Sequence, residues 1–233
     1  MVILMALYAI GDLHLSLSAD KPMDVFGPKW ENYVQRLRAA FSELREEDVI
    51  VLAGDTSWGI SLDQALADFR FLDALPGKKL LLKGNHDYWW ETASKMKKFF
   101  AAHDITSIDI LHNNCFFYGD YAICGTRGWF YEEEAEGTHT GKMLHREALR
   151  LEASFQCAGE KKILCFLHYP PIYHGYQCPE MLNVIDRYGA ERCYYGHLHG
   201  PTHTRAFEGR RNLTEYALIS ADYLGFIPKK ILN

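Results

Sequence analysis

Asp12 and His14 close the run "YAIGDLH", Asp55 closes "VIVLAGD", and Asn85 and His86 close "LLLKGNHD". Further on, His168 closes "ILCFLH", and His197 and His199 close "RCYYGHLH". Carboxylate, carboxamide and imidazole groups bind divalent metals, and imidazole also moves protons near neutral pH. A mixed nitrogen and oxygen set suits Mn, Fe, Zn or Co better than Ca or Mg, which favour oxygen-only shells. Taken singly these signals are weak. A D-x-H triplet is a common accident, "AGDTSWG" also fits a turn that caps a helix, and His168 before Tyr169-Pro170-Pro171 also fits the end of an edge strand. The same placement recurring five times along one chain carries the weight.

These residues need elements that hold them together. Each cluster follows an apolar run with the length of a strand, and amphipathic stretches separate the runs. Residues 30–45 carry helical apolar spacing at Tyr33, Val34, Leu37, Ala40, Phe41 and Leu44. Residues 62–75 and 91–102 predict two more helices, and 2–10, 48–55 and 80–82 predict strands between them. Such alternation implies an α/β fold with a parallel or mixed sheet covered by helices. In such a sheet ligands bind in the crevice outside the carboxyl ends of the strands, so tips distant in sequence converge. After about residue 108 short β-like pieces ("IDILHNNCFFYG", "YAICGTRGW") predict strands paired with one another. Helices at 142–156 and 180–188 and a strand in "TEYALIS" complete the pattern. No repeat, linker or low-complexity segment divides the chain, which predicts one domain over 1–233.

Composition narrows the partners. The net charge of −5 excludes a broad nucleic-acid or anionic-membrane surface, which needs clustered Lys and Arg. The short basic runs at 95–98 and 210–211 read as solvated surface. Six scattered cysteines without a C-x-x-C pair, several inside apolar runs, fit free thiols in a reducing cytoplasm. The apolar start "MVILMALYAI" lacks a basic leader and a cleavage site, and it is too short to span a bilayer. It reads as a buried first strand.

With "GDLH" at 11–14, "AGD" at 53–55, "GNHD" at 84–87, His168 and "GHLH" at 196–199, the sequence resembles the calcineurin-like metallophosphoesterases. Their motifs run in that order: D-x-H, G-D, G-N-H-[DE], a single His, and G-H-x-H. The resemblance implies a four-layer α/β/β/α sandwich of two mixed β-sheets flanked by helices. It also implies two transition-metal ions, most simply Mn, Fe or Zn, at the strand tips. By that resemblance Asp12, His14, Asp55 and His199 hold one ion and Asp55, Asn85, His168 and His197 the other, with Asp55 bridging. The resemblance further implies that a metal-bridging hydroxide would attack a phosphomonoester or phosphodiester and that His86 would protonate the leaving alcohol. The expected partner is a small phosphorylated substrate rather than nucleic acid.

The chain departs from two branches of that family. Protein Ser/Thr phosphatases carry a second Asp three residues after the G-D, and purple acid phosphatases carry a Tyr there. Here Trp58 occupies the position, which leaves the orienting partner of His86 to be found. Substrate contacts are expected in the surrounding loops. Arg127 suits a phosphate by its guanidinium geometry, an ion pair being the equal alternative. Tyr169 and His174 flank His168, and Glu132-Glu133-Glu134 reads as a solvated lid.

Other functions fit less well. Amidohydrolases place H-x-H early and metallo-β-lactamase-type enzymes need H-x-H-x-D-H, which "HLHGPTH" lacks. A nuclease of the same superfamily wants a basic surface. A nucleotide-sugar or lipid-precursor pyrophosphatase on the same site, which an apolar lid would support, and a catalytically silent metal-binding scaffold stay open as alternatives.

Overall fold

The computed structural model describes residues 5–129 and 138–233. Its first half alternates strands and helices: β1 (Leu7–Ile10), α1 (Tyr33–Ser42), β2 (Val49–Ala53), α2 (Leu62–Asp73), β3 (Lys78–Leu82), α3 (Ala93–Ala102) and β4 (Ile108–Ile110). Then come β5 (Cys115–Tyr118), β6 (Tyr121–Thr126), α4 (Thr138–Gln156), β7 (Lys162–Leu167) and a small hairpin, β8 (Ile172–Tyr173) with β9 (Tyr176–Gln177). The chain continues through α5 (Pro179–Tyr188), β10 (Arg192–Tyr195), β11 (Gly209–Arg211), β12 (Thr214–Leu218) and β13 (Lys229–Leu232).

Two large mixed sheets result. One has the order β13-β1-β2-β3-β4, the other β11-β12-β10-β7-β6-β5. In the first, β1 to β4 run parallel and β13 joins β1 antiparallel. In the second, β6, β7, β10 and β12 are mutually parallel, with β5 and β11 antiparallel on the edges. The strand period of two decides which side chain faces which layer. Leu7, Ala9, Val51, Ala53, Leu80 and Leu82 meet Ile123, Leu164, Phe166 and Tyr194 between the sheets. Ile10, Ile50, Leu52 and Leu81 face the other way and pack on α1, α2 and α3 through Leu37, Phe41, Phe69, Leu72, Met96 and Phe100. On the far side Ile163, Cys165, Leu167, Cys193 and Tyr195 pack on α4 and α5. Both faces of the central strands are therefore covered, which is why they read as continuous apolar runs rather than alternating ones.

The helix boundaries follow local chemistry. Ser61 and Thr92 accept N–H bonds from Gln64 and Lys95, capping α2 and α3. The predicted helix at 30–45 starts only at Tyr33, because Trp30 lies in a 3-10 turn and Asn32 takes a left-handed φ of 52°. The strand predicted at 2–10 is seen as β1, with residues 1–4 outside the described part. β8, β9, β11 and β13 were not foreseen; each is two to four residues long and too short to carry a period. All six cysteines are free, and Cys115, Cys124, Cys165 and Cys193 stand in register across β5, β6, β7 and β10. Among the described residues no helix is long and apolar enough to cross a membrane.

Candidate metal centre

The carboxyl ends of β1, β2, β3, β7 and β10 deliver the predicted residues to one place. Four of them leave their strands with a left-handed backbone: Asp12 at φ 59°, His14 at 47°, Asp55 at 49° and His197 at 71°. A non-glycine residue held there costs about 1–3 kcal/mol, so the surroundings must fix it. Backbone bonds do so. Asp12 N–H donates to Gly54 O at 2.9 Å, His14 N–H to Asp55 O at 2.9 Å, and Gly196 N–H to His168 O at 3.1 Å.

Asp87 organises the turn at the end of β3. Its buried carboxylate accepts N–H bonds from Gly84, Asp55, Thr56 and Ser57 and from the Trp89 indole, at 2.7–3.3 Å. Burial and the neighbouring Asp55 push its pKa up to about 7 against those donors. The turn packs so closely that a Cβ on Gly84 would collide with Asp55 Oδ1 and the Asp55 nitrogen; one on Gly196 would strike Asp12 Oδ2. These two glycines are demanded by the approach of backbone to carboxylate.

The donor atoms face one another. His14 Nε2 lies 3.2 Å from His199 Nε2 and 3.7 Å from Asp55 Oδ2. His199 Nε2 is 3.7 Å from Asp12 Oδ1. His168 Nε2 is 3.6 Å from Asp55 Oδ2 and 2.6 Å from Asn85 Oδ1, which also meets His197 Nδ1 at 2.9 Å. Asp55 Oδ2 thus stands between the His14 side and the His168 side. Donors about 2.0–2.2 Å from a central ion are separated by roughly 3.0–3.4 Å, so the spacing fits metal ligation.

The protonation states fit too. His168 Nδ1 is 3.2 Å from the Ala53 carbonyl, which requires the proton on Nδ1 and leaves Nε2 bare. Burial lowers the pKa of His168 to about 3 and drives those of His14 and His197 down as well, so these rings are neutral acceptors. Burial raises Asp12 to about 8 and Asp55 to about 6. The two buried carboxyl groups and the bare nitrogens of His14, His168 and His197 thus converge on one pocket, a donor set that suits a cation.

Two features were not foreseen from sequence. Asp222, just beyond β12, accepts from His199 Nδ1 at 2.9 Å, from His203 Nε2 at 3.2 Å and from Gly200 N–H at 2.9 Å. Burial alone would raise its pKa, but the bonds from His199 and His203 hold it well below the usual carboxylate range. For His199 burial opposes the charged form, and Asp222, Asp12 and Asp55 outweigh it and raise its pKa. The available signal was "ALISAD", one more apolar run ending in a carboxylate. Asp68 on α2 is the second: it accepts from Ser57 Oγ at 2.5 Å and Leu17 N–H at 2.9 Å, clamping the loops after β1 and β2.

His86 stands beside the cluster. Its backbone N–H donates to Asp55 Oδ1 at 2.7 Å, and its Nδ1 is 3.3 Å from the Tyr88 hydroxyl. Trp58 packs against it at 4.5 Å between ring centroids and stacks on His14 at 5.0 Å. Tyr88 and Trp58 are thus side-chain neighbours of the imidazole, with Trp58 at the position where an Asp was missing.

The three expected substrate contacts divide. Tyr169 packs on His197 at 4.4 Å and His168 at 5.2 Å, at the cluster. Arg127 lies over Trp129 at 4.8 Å and pairs with buried Glu147 at 3.5 Å, and its buried Nε finds no hydrogen-bond partner among the described residues. His174 is not brought to the cluster. It lines a separate cavity with Gln177, Arg205 and Arg210, none of them a candidate ligand. The Glu132-Glu133-Glu134 lid lies outside the described residues.

The chain matches the family model described as calcineurin-like phosphoesterase over residues 5–201. Among solved structures, a protein of unknown function from Aquifex aeolicus aligns with a TM-score of 0.54 at 15% identity, covering 97% of this chain and 96% of that one. The protein TT1561 of Thermus thermophilus aligns with a TM-score of 0.53 at 12% identity, covering 98% of each chain. No curated protein matches. At these identities the structural likeness is one of fold.

Proposed function

Because the chain belongs to the calcineurin-like phosphoesterase family, we propose that it hydrolyses a small phosphomonoester or phosphodiester at a dinuclear metal centre. The observation that carries this reading is the position of Asp55, whose carboxylate faces His14 on one side and His168 on the other. Asp12, His14, Asp55 and His199 would hold one cation, and Asp55, Asn85, His168 and His197 the second. The chemistry such a pair supplies when bound is Lewis-acid neutralisation of the phosphoryl oxygens and activation of water. Mn, Fe and Zn suit this mixed nitrogen and oxygen set.

The remaining work falls to the protein. Asn85 contributes a neutral oxygen, so the second position gains a ligand without adding negative charge against a phosphate. With Nδ1 beside the Tyr88 hydroxyl, His86 keeps Nε2 for the leaving oxygen and delivers a proton there as the bond to phosphorus breaks. Trp58 excludes water from one face of both imidazoles. Arg127 and Tyr169 are the candidate substrate contacts. Since both sheets feed one cluster, residues 1–233 act as one domain on this reading.

The test is a metal reconstitution. Chelated protein, reloaded separately with Mn, Fe or Zn, is assayed on p-nitrophenyl phosphate, its bis ester, cyclic nucleotides and nucleotide sugars. Hydrolysis that needs about two equivalents of metal supports the proposal. Stoichiometric metal without turnover of any ester rejects it in favour of a metal-binding scaffold.

A further inference from the structure

A cavity of about 710 Å³ opens directly against the metal cluster, with His14, His86, His199 and Asp222 on one wall. That size suits a ligand well beyond a bare phosphate, within the roughly 300–1,000 Å³ usual for small-molecule sites. Most of the rest of its wall is apolar: Met23, Phe26, Pro28, Trp30, Trp58 and Pro201. The Trp58 indole N–H already donates to Met23 Sδ at 3.1 Å. The Gly200 N–H is likewise engaged, by Asp222. Among the described residues Lys29 is the one polar side chain on this wall outside the metal cluster.

The wall has a rigid half and an open half. Trp30 is buried, edge-on to Tyr33 and Phe226, and its segment is pinned where Arg36 donates to the carbonyls of Lys29 and Gly225. Gly27, at φ 115°, joins the two 3-10 turns and turns the preceding segment outward. Phe26 is left 69% exposed and Val25 72%, with Ile60 and Tyr88 exposed on neighbouring loops. Of these, Phe26 belongs to the cavity wall, so its ring is apolar surface offered to whatever the cavity takes.

We propose that this cavity seats the leaving alcohol of the substrate, and that this alcohol is apolar, an alkyl or aryl group with few hydrogen-bonding atoms. The inference rests on the phosphoesterase reading above and adds the substrate class to it. The side of the ester is fixed by His86. The group that protonates the leaving oxygen forms part of the cavity wall, so whatever fills the cavity is attached to that oxygen. The chemical class is fixed by what the wall lacks. A sugar or nucleobase there would find the Lys29 ammonium for one of its hydrogen-bonding atoms and leave most of the others unpaired, at a cost for each. A methylene loses only unfavourable hydration.

The experiment is a chain-length series on Mn-loaded protein, using ethyl, butyl and octyl phosphates and their methyl diesters, with release of phosphate or methyl phosphate as the readout. The acidity of the leaving alcohol barely changes along this series, so the rate reports the cavity. A buried methylene corresponds to up to about fourfold in kcat/KM, and a rise of at least about tenfold from ethyl to octyl is expected. Phe26→Ser, at an exposed position the fold does not rest on, flattens the series, lowering octyl phosphate turnover more than ethyl phosphate turnover. In parallel, octylphosphonate binds more tightly than methylphosphonate and shifts tryptophan emission through Trp30 and Trp58. Turnover with a flat or falling series, or equal binding of the two phosphonates, overturns the proposal and spares the phosphoesterase reading. No turnover of any ester with metal bound overturns both.

Discussion

Asp222 donates nothing to the cluster directly, yet it decides which nitrogen of His199 faces it. By accepting the Nδ1 proton at 2.9 Å it leaves Nε2 pointing at His14 and Asp12. A carboxylate in this role raises the basicity of its imidazole, and its loss typically weakens metal affinity about 10–100-fold. Asp222→Asn is expected to do so, with an unchanged circular dichroism spectrum, as read by competitive metal titration. His86 predicts the opposite split. His86→Asn keeps two metals by elemental analysis and lowers kcat by about 10²–10⁴-fold, the usual contribution of a positioned acid. Loss of metal with retained turnover would contradict its assignment. The contrast also marks how far the sequence could be read. The candidate ligands were legible because each follows an apolar run, so a rule about strand ends locates them. Asp222, Asp68 and Asp87 act on backbone and on other side chains. Such partners depend on three-dimensional neighbours: Asp68 lies within a helix, and Asp222 after "ALISA" marks a strand end without showing which imidazole it bonds.

At the scale of elements, the site depends on strand tips that are both strained and crowded. Gly84→Ala drives a Cβ into Asp55. The expected cost is about 1–3 kcal/mol of stability, measured by denaturant unfolding, together with weaker metal binding. A second element carries a pH signature away from the cluster. Lys79 on β3 is fully buried, its ammonium held by the Leu75 carbonyl and by Ser107 Oγ at 3.1 Å. Burial lowers its pKa from 10.5 to about 8 despite Asp73 and Glu46. Between those two values the unfolded chain holds more protons than the folded one, so Lys79 makes the unfolding free energy rise with pH from about 8 to about 10.5. Below about 8 its burial penalty is fully present. Lys79→Met is expected to remove that rise in chemical denaturation curves taken across the window, whereas a parallel rise in both proteins would contradict the assignment. Element types were well read from periodicity. The edges were not, because a four-residue strand such as "KKIL", with only Ile231 buried, looks like any polar tail.

At the scale of the molecule, the proposed ligands divide between the sheets. Asp12, His14, Asp55 and Asn85 follow strands of the first, and His168, His197 and His199 follow strands of the second. Ions bound there stabilise the folded chain alone. At a free concentration one hundred times the dissociation constant, one site adds about 2.7 kcal/mol. For a chain of this length that corresponds to a rise in Tm of roughly 5–10 °C. Differential scanning fluorimetry of chelated and reloaded protein should show it, and equal Tm values would speak against metal in the cluster.

The division between sheets also sets an order of events. A chain that has built the first sheet but not yet docked the second owns three of the four proposed ligands of one ion and two of the four of the other, with the full repulsion of Asp12 and Asp55. On the proposed ligand sets, completing both sites would require the two layers to meet, so the rate at which the second equivalent of metal is captured during refolding would report that final docking step.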